Sequence, residues 1–171
     1  MPPQPKQIAL WSRDIGFFLL KTLANPDDKK LILERVANLR CDSPRAWGKM
    51  SAHQMMCHLC DSFRSKLGSK VVRSRANLFT KTVMKWFALR APVPWPHGIG
   101  TPPELDQQIG GTPPEDFEKD RRELIALTEQ FTSQSGKLDS AAHVFFGRMT
   151  VEEWMRWAWL HMDHHLRQFN C

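Results

Sequence analysis

The stretch that most constrains the fold of this 171-residue chain is residues 150–169, TVEEWMRWAWLHMDHHLRQF. Thr150 and Glu153 form an S/T-x-x-E capping box, which satisfies orphan backbone donors at a helix start, and apolar residues recur behind it at helical spacing. At about 100° per residue, Trp154, Trp157, Ala158, His161, His165 and Gln168 share one stripe, whereas Glu152, Arg156, Asp163 and Arg167 fall on the opposite side. Two histidines therefore point where a core belongs. At i, i+4 they stand one above the other, the spacing at which one metal ion takes a nitrogen from each.

On its own, such a pair is more often packed and hydrogen-bonded than metal-bound, so a third ligand elsewhere is needed. His164 lies about 60° off the stripe and reads as a pocket-lining residue or a partner behind the ligands. The zinc-protease pattern H-E-x-x-H does not apply, because Met162 holds the Glu position and Asp163 faces away.

The rest of the chain supports one all-α domain over residues 8–171, after a disordered lead at residues 1–7. A chain that is 42% hydrophobic, with seven Trp and ten Phe, has enough apolar material for a single core. No apolar run reaches eighteen residues and residues 1–20 lack the order of a signal peptide, so a cytoplasmic protein without membrane contact is expected. Cys41, Cys57, Cys60 and Cys171 show no disulfide framework. Cys57-His-Leu-Cys60 matches C-x-x-C only inside a helix, where two buried thiols are the expectation.

Five stretches read as elements. Residues 8–23 suggest a short helix. Asn25-Pro26-Asp27-Asp28 starts a firmer one, with an N-cap, Pro at its first position and two acids on the positive end of the dipole; Leu31, Ile32, Val36 and Leu39 carry its apolar face. Ser51 to Gln54 offers a second capping box, opening a helix to about Leu67 that buries Ala52, Met55, Met56, Leu59 and Phe63 and carries His58 at the edge of that arc. His53 lies roughly 140° away and cannot join it at one ion. Residues 76–89 suit a shorter basic helix, and residues 114–131 another, with Phe117, Leu124, Leu127 and Phe131 on one face. No strand stands out.

Seven of the twelve prolines fall in residues 92–114. A loop of that length in a compact domain reads as a rim over a site, and Trp95 and Ile99 in it call for cover. The net charge of +6 is uneven: eight cations and no acid lie in residues 62–103, and eight acids face three cations in residues 104–129. Mutual attraction of the two segments explains this better than a nucleic-acid partner, which is not expected.

A helix bearing His58 in the context Met-Met-Cys-His-Leu-Cys-Asp, followed late in the chain by His161-Met-Asp-His164-His165-Leu-Arg-Gln, resembles the DinB/YfiT-like superfamily. More narrowly, residues 47–63 and 143–169 resemble a subfamily known only as a domain of unknown function. The resemblance spans roughly residues 26–169 and implies a four-helix bundle of up-down-down-up topology, here with accessory helices and the long Pro-rich loop. It also implies one divalent metal on His58, His161 and His165, with Zn or Ni first and Fe or Mn as alternatives. The superfamily's motif commonly continues His-His-Arg-Gly-Gln; here Leu166-Arg167 replaces the Arg-Gly pair, so contacts through that pair do not carry over.

The resemblance further implies a small-molecule substrate and a transferase acting with a low-molecular-weight thiol. A metal-dependent hydrolase is the alternative, disfavoured by the lack of a carboxylate on the histidine stripe; a non-catalytic binding protein is the third reading. Asp61 and His164 are the candidate partners that would orient the imidazoles, and His97 a candidate for approaching the pocket from the loop. Trp159, on the polar side of its helix, calls for cover by residues 8–23 or by a second copy, which points to a homodimer.

Overall fold

A computed structural model describes residues 21–171. They are mostly helical, with five α-helices and one minimal sheet among the described residues. The lead at residues 1–7 and most of the stretch 8–23 lie outside the described residues; Lys21, Thr22 and Leu23 are not helical.

Helix α1 (Pro26–Asn38) starts as expected: the Asn25 side chain accepts from the backbone N–H of Asp27 and Asp28, with Pro26 at the first helical position. Ile32, Val36 and Leu39 are buried. Leu31, expected among them, is 39% exposed, because its phase carries it over the edge of the apolar stripe. Helix α2 (Ala52–Lys66) has both halves of its Ser51–Gln54 capping box and buries all five residues expected of it.

The basic stretch is more irregular than a plain helix. A π-helical turn (Thr80–Met84) runs into α3 (Lys85–Arg90), so Lys85 N–H reaches back to Thr80 O. Residues 92–114 remain irregular except for a 3₁₀ turn (Pro103–Leu105). Trp95 is half-buried and donates its indole N–H to Ala88 O at 2.8 Å, whereas Ile99 stays 52% exposed. Helix α4 (Phe117–Ser133), capped by the Asp116 side chain, buries Leu124, Leu127 and Phe131.

One correction concerns residues 142–148. Strand β1 (Ala142–His143) pairs antiparallel with β2 (Gly147–Arg148), a hairpin too short to leave a sequence pattern. Gly147 takes a φ of +66° in its turn, and His143 Nδ1 accepts from the N–H of Phe145 and Phe146, both at 3.2 Å. Helix α5 (Val151–Arg167) follows, with the Thr150–Glu153 box closed in both directions.

Helix α2 packs along α4, α1 along α5 and against α4, and α3 lies on α5. Trp159 is covered within the chain: its indole N–H donates to Asp28 O at 3.3 Å, and the Lys21 ammonium lies 5.7 Å over its ring. No second copy is needed to bury it. Asp163, expected on the polar side, is also buried, because Arg35 from α1 reaches it at 2.7 Å and Arg167 at 2.9 Å. No helix among the described residues is long and apolar enough to cross a membrane.

Because the capping box fixes the start of the helix that carries two of the buried histidines, Thr150→Ala is expected to cost about 1 kcal/mol. A shifted urea midpoint with an unchanged slope would check this.

Candidate metal centre

Three imidazoles converge where α2 and α5 face each other. His58 comes from the middle of α2, and His161 and His165 from successive turns of α5. His58 Nε2 and His165 Nε2 lie 3.2 and 3.1 Å from His161 Nε2, and the three nitrogens fall within 4.8 Å of one another. Two tetrahedral ligands at about 2.0–2.1 Å from a zinc ion are separated by roughly 3.3 Å, so the spacing suits one ion.

The outer nitrogens decide what the inner ones offer. His58 Nδ1 lies 2.8 Å from Leu105 O, a carbonyl that can only accept, so Nδ1 carries the proton and the neutral ring presents a lone pair at Nε2. His165 Nδ1 lies 2.6 Å from Gln168 Oε1 and is set in the same way. Two of the three convergent nitrogens are thus lone pairs, and His161 Nε2 can donate to only one of them. A cation satisfies all three; protons alone do not. Burial holds His58 below its ordinary pKa, and burial together with the neighbouring imidazoles holds His161 and His165 well below theirs, so all three rings are neutral at neutral pH.

Gln168 is itself held in place. Ala46 N–H donates to its backbone carbonyl at 2.7 Å, and Gly48, at φ +87°, leaves room where a Cβ would come within 2.4 Å of Gln168 Nε2. Neither orienting carbonyl was identified from the sequence. Gln168 lies three residues after His165 on the same stripe, a signal that could have found it; Leu105 acts through its backbone, which no side-chain pattern encodes.

The other candidates separate. His164 is buried beside the triad, its ring 4.7 Å from that of Trp47 and 5.8 Å from that of Trp95, with Nδ1 unpartnered. Burial and the nearby Arg167 guanidinium push it down to about 4. His97 is exposed on the loop, stacked on Trp47 at 3.8 Å, and reaches the site only through His164, 6.4 Å away. Asp61 requires a correction: it is bonded to none of the imidazoles. Its carboxylate is fully buried and accepts from Arg64, Lys70, Gln107 and both the N–H and hydroxyl of Thr112.

A second group, His53, Cys57 and Asp120, also lies within 4.8 Å. Here Asp120 Oδ2 accepts from His53 Nε2 at 2.7 Å and from the Cys57 thiol at 3.4 Å. Burial foremost, then Asp120, pushes that thiol up to about 12. This is a closed hydrogen-bond set rather than an open ligand set.

The triad floors a cavity of about 380 Å³. Its walls are the face of α2 through Ser62 and Lys66, the apolar side of the 78–90 helix with Phe79, Val83 and Phe87, the hairpin with Val144, Phe145 and Phe146, and the loop with Trp95, Ile99 and Leu105. The Pro-rich segment is therefore a rim, as its length suggests. Among the described residues, none that lines the cavity carries a carboxylate.

A family model described as "Protein of unknown function (DUF1569)" matches residues 23–171. The chain belongs to the DUF1569 family. No curated protein and no solved structure matches it. The match to DUF1569 takes in every residue of the triad, both orienting carbonyls and the whole cavity lining.

In this DUF1569 chain, Asp61 links pH to the rim. Burial alone would raise its pKa, but the hydrogen bonds from Lys70 and Thr112 outweigh it and the net shift is downward. The stability it contributes is present above the unfolded-state value near 3.9 and is lost as pH falls through the lower folded value. Asp61→Asn is expected to destabilise the protein by ~3 kcal/mol at pH 7, with the gap to wild type closing in strong acid. Urea melts across pH 2–7 would check both the size and the direction.

Proposed function

We propose that the chain is a divalent-metal-dependent enzyme built as a DinB-like four-helix bundle, with His58, His161 and His165 as the metal ligands. The observation that carries this is the convergence of three neutral imidazole nitrogens, from the buried His58 and His165 and the partly buried His161, two of them held as lone pairs by Leu105 O and Gln168 Oε1. Zinc or nickel suits such a nitrogen set, with iron or manganese as alternatives.

A divalent ion on three protein ligands supplies open coordination positions and lowers the pKa of a thiol that binds it. The chain's own residues supply the rest. Leu105 and Gln168 fix the imidazole tautomers, the ring of Trp157 stacks on His161 at 4.9 Å, and Trp95 covers His161 and His164 from the loop side. These aromatic rings cover His161 on two sides.

A transferase using a low-molecular-weight thiol is favoured over a hydrolase, because hydrolysis needs a base for the attacking water and the cavity lining offers no carboxylate. Thiol transfer needs the thiolate, which the ion itself favours. His164, with Nδ1 buried and unpartnered and its pKa near 4, stays neutral and offers a hydrogen-bond acceptor beside the triad.

Elemental mass spectrometry on protein purified without a metal-affinity step is expected to find about one divalent ion per chain, absent in His58→Ala and His161→Ala. Gln168→Ala is expected to weaken metal binding about 10–100-fold without abolishing it. A wild-type protein that takes up no metal when supplied with it would overturn the reading. Screens of the loaded enzyme for thiol conjugation and for ester cleavage would then separate transferase from hydrolase.

A further inference from the structure

The wall of the cavity formed by α2 carries polar groups in a line. His58, Ser62 and Lys66 follow one another at i, i+4 and i+8, so they share a face and climb about 12 Å along the helix axis. Helix α5 runs the opposite way beside it: His58 meets His161 and His165 at one end, and the Lys66 ammonium lies 5.5 Å over the Trp154 ring at the other. The cavity therefore has two chemically distinct ends, the three convergent imidazoles at one and the ammonium, with the neutral His143 ring near it, at the other.

Both polar groups beyond the triad are under-satisfied. Ser62 is 2% exposed, and its hydroxyl has no hydrogen-bond partner. Lys66 is 9% exposed, and apart from the Trp154 ring its ammonium has one long hydrogen bond, 3.4 Å to Ala142 O; among the described residues no carboxylate pairs with it. A buried ammonium without a counter-charge is costly, and an incoming anion offsets that cost. Burial brings Lys66 down to about 8, which still leaves it mostly cationic at neutral pH. Between the two ends the walls are apolar and aromatic, and the volume of about 380 Å³ falls in the range of small-molecule sites.

The geometry points to an amphiphilic organic anion as the ligand of this cavity, its acidic head on Lys66, a hydrogen bond from Ser62 along its length, and its reactive end at the three histidines. The inference names the substrate class for the site proposed above and rests on that reading only for the reactive end. The 12 Å span matches an extended chain of roughly ten atoms. Decanoate and decan-1-ol, which differ in charge at one end, are therefore suitable probes.

Binding would be measured by calorimetry on chelator-treated wild type, Lys66→Met, Lys66→Arg and Ser62→Ala. In wild type, decanoate is expected to bind at least about tenfold more tightly than decanol. Lys66→Met, which removes a buried charge and keeps the volume, should bring the two within about twofold while decanol binding stays unchanged; Lys66→Arg should keep the preference, and Ser62→Ala, whose lost hydroxyl faces only methylenes of these probes, should leave it unchanged. Equal binding of the two probes by wild type, or a preference that survives Lys66→Met, would overturn the proposal. A preference seen only in metal-loaded protein and lost in His161→Ala would also overturn it, by putting the carboxylate on the ion. A preference that persists in a wild-type protein that takes up no metal even when supplied with it would support the Lys66 site while rejecting the metal reading.

Discussion

A carboxylate with no contact to water stands behind the architecture of the site. Asp61, one turn beyond His58 on α2, accepts five hydrogen bonds from Arg64, Lys70, Gln107 and Thr112. An ion so deeply placed is tolerated only because every lone pair is used. Three of those bonds come from the Pro-rich segment, which must therefore fold back over α2. Gly111 permits that return, since a Cβ there would come within 2.8 Å of the Asp106 carbonyl carbon and 2.9 Å of Gln107 N. With residues 107–112 anchored, the 3₁₀ turn before them presents Leu105 O to His58. Asp61 thus acts on the imidazole through the loop, without touching it.

The triad is ordered from outside by the same logic on each side. Leu105 reaches His58 from the loop, and Gln168 reaches His165 from the end of α5, itself wedged by the segment around Gly48. Burial keeps the rings neutral; the carbonyls choose which nitrogen is bare. Neither effect alone produces a ligand set, because a neutral ring with the wrong tautomer would point a proton inward. The sites of constraint come from four separate parts of the chain, so the convergence is a property of the tertiary fold.

That division explains how much could be read in advance. Caps and helical phase are local, so the starts of α1, α2 and α5 and the inward turn of His58, His161 and His165 were visible in the residues themselves. What depends on distant partners was not. Asp61 was misassigned because most of its partners lie nine to fifty-one residues away, Asp163 was expected on the polar side although Arg35 of α1 covers it, the cover that Trp159 called for comes from α1 and Lys21, and the two-residue strands of the hairpin are shorter than any period that could announce them. The carbonyl of Leu105 was invisible in principle, since every residue has one.

The basic run is where local reading and tertiary structure differ most usefully. As a sequence, residues 62–103 are a block of cations set against an acidic block. In the fold, part of that charge is paired internally: Arg64 with Glu123 and Asp61, Lys70 with Asp61, and Lys85 with Glu153. One of these pairs, Arg64 with Glu123, joins the basic run to the acidic one; Asp61 and Glu153 lie outside the acidic run. Lys66 stands apart, a cation from the same block turned into an apolar cavity where, among the described residues, no acid meets it. A lysine there weakens the fold where methionine or leucine would fill the space at no electrostatic cost. Its place opposite the three histidines, along one face of one helix, makes the ligand the natural source of the missing charge.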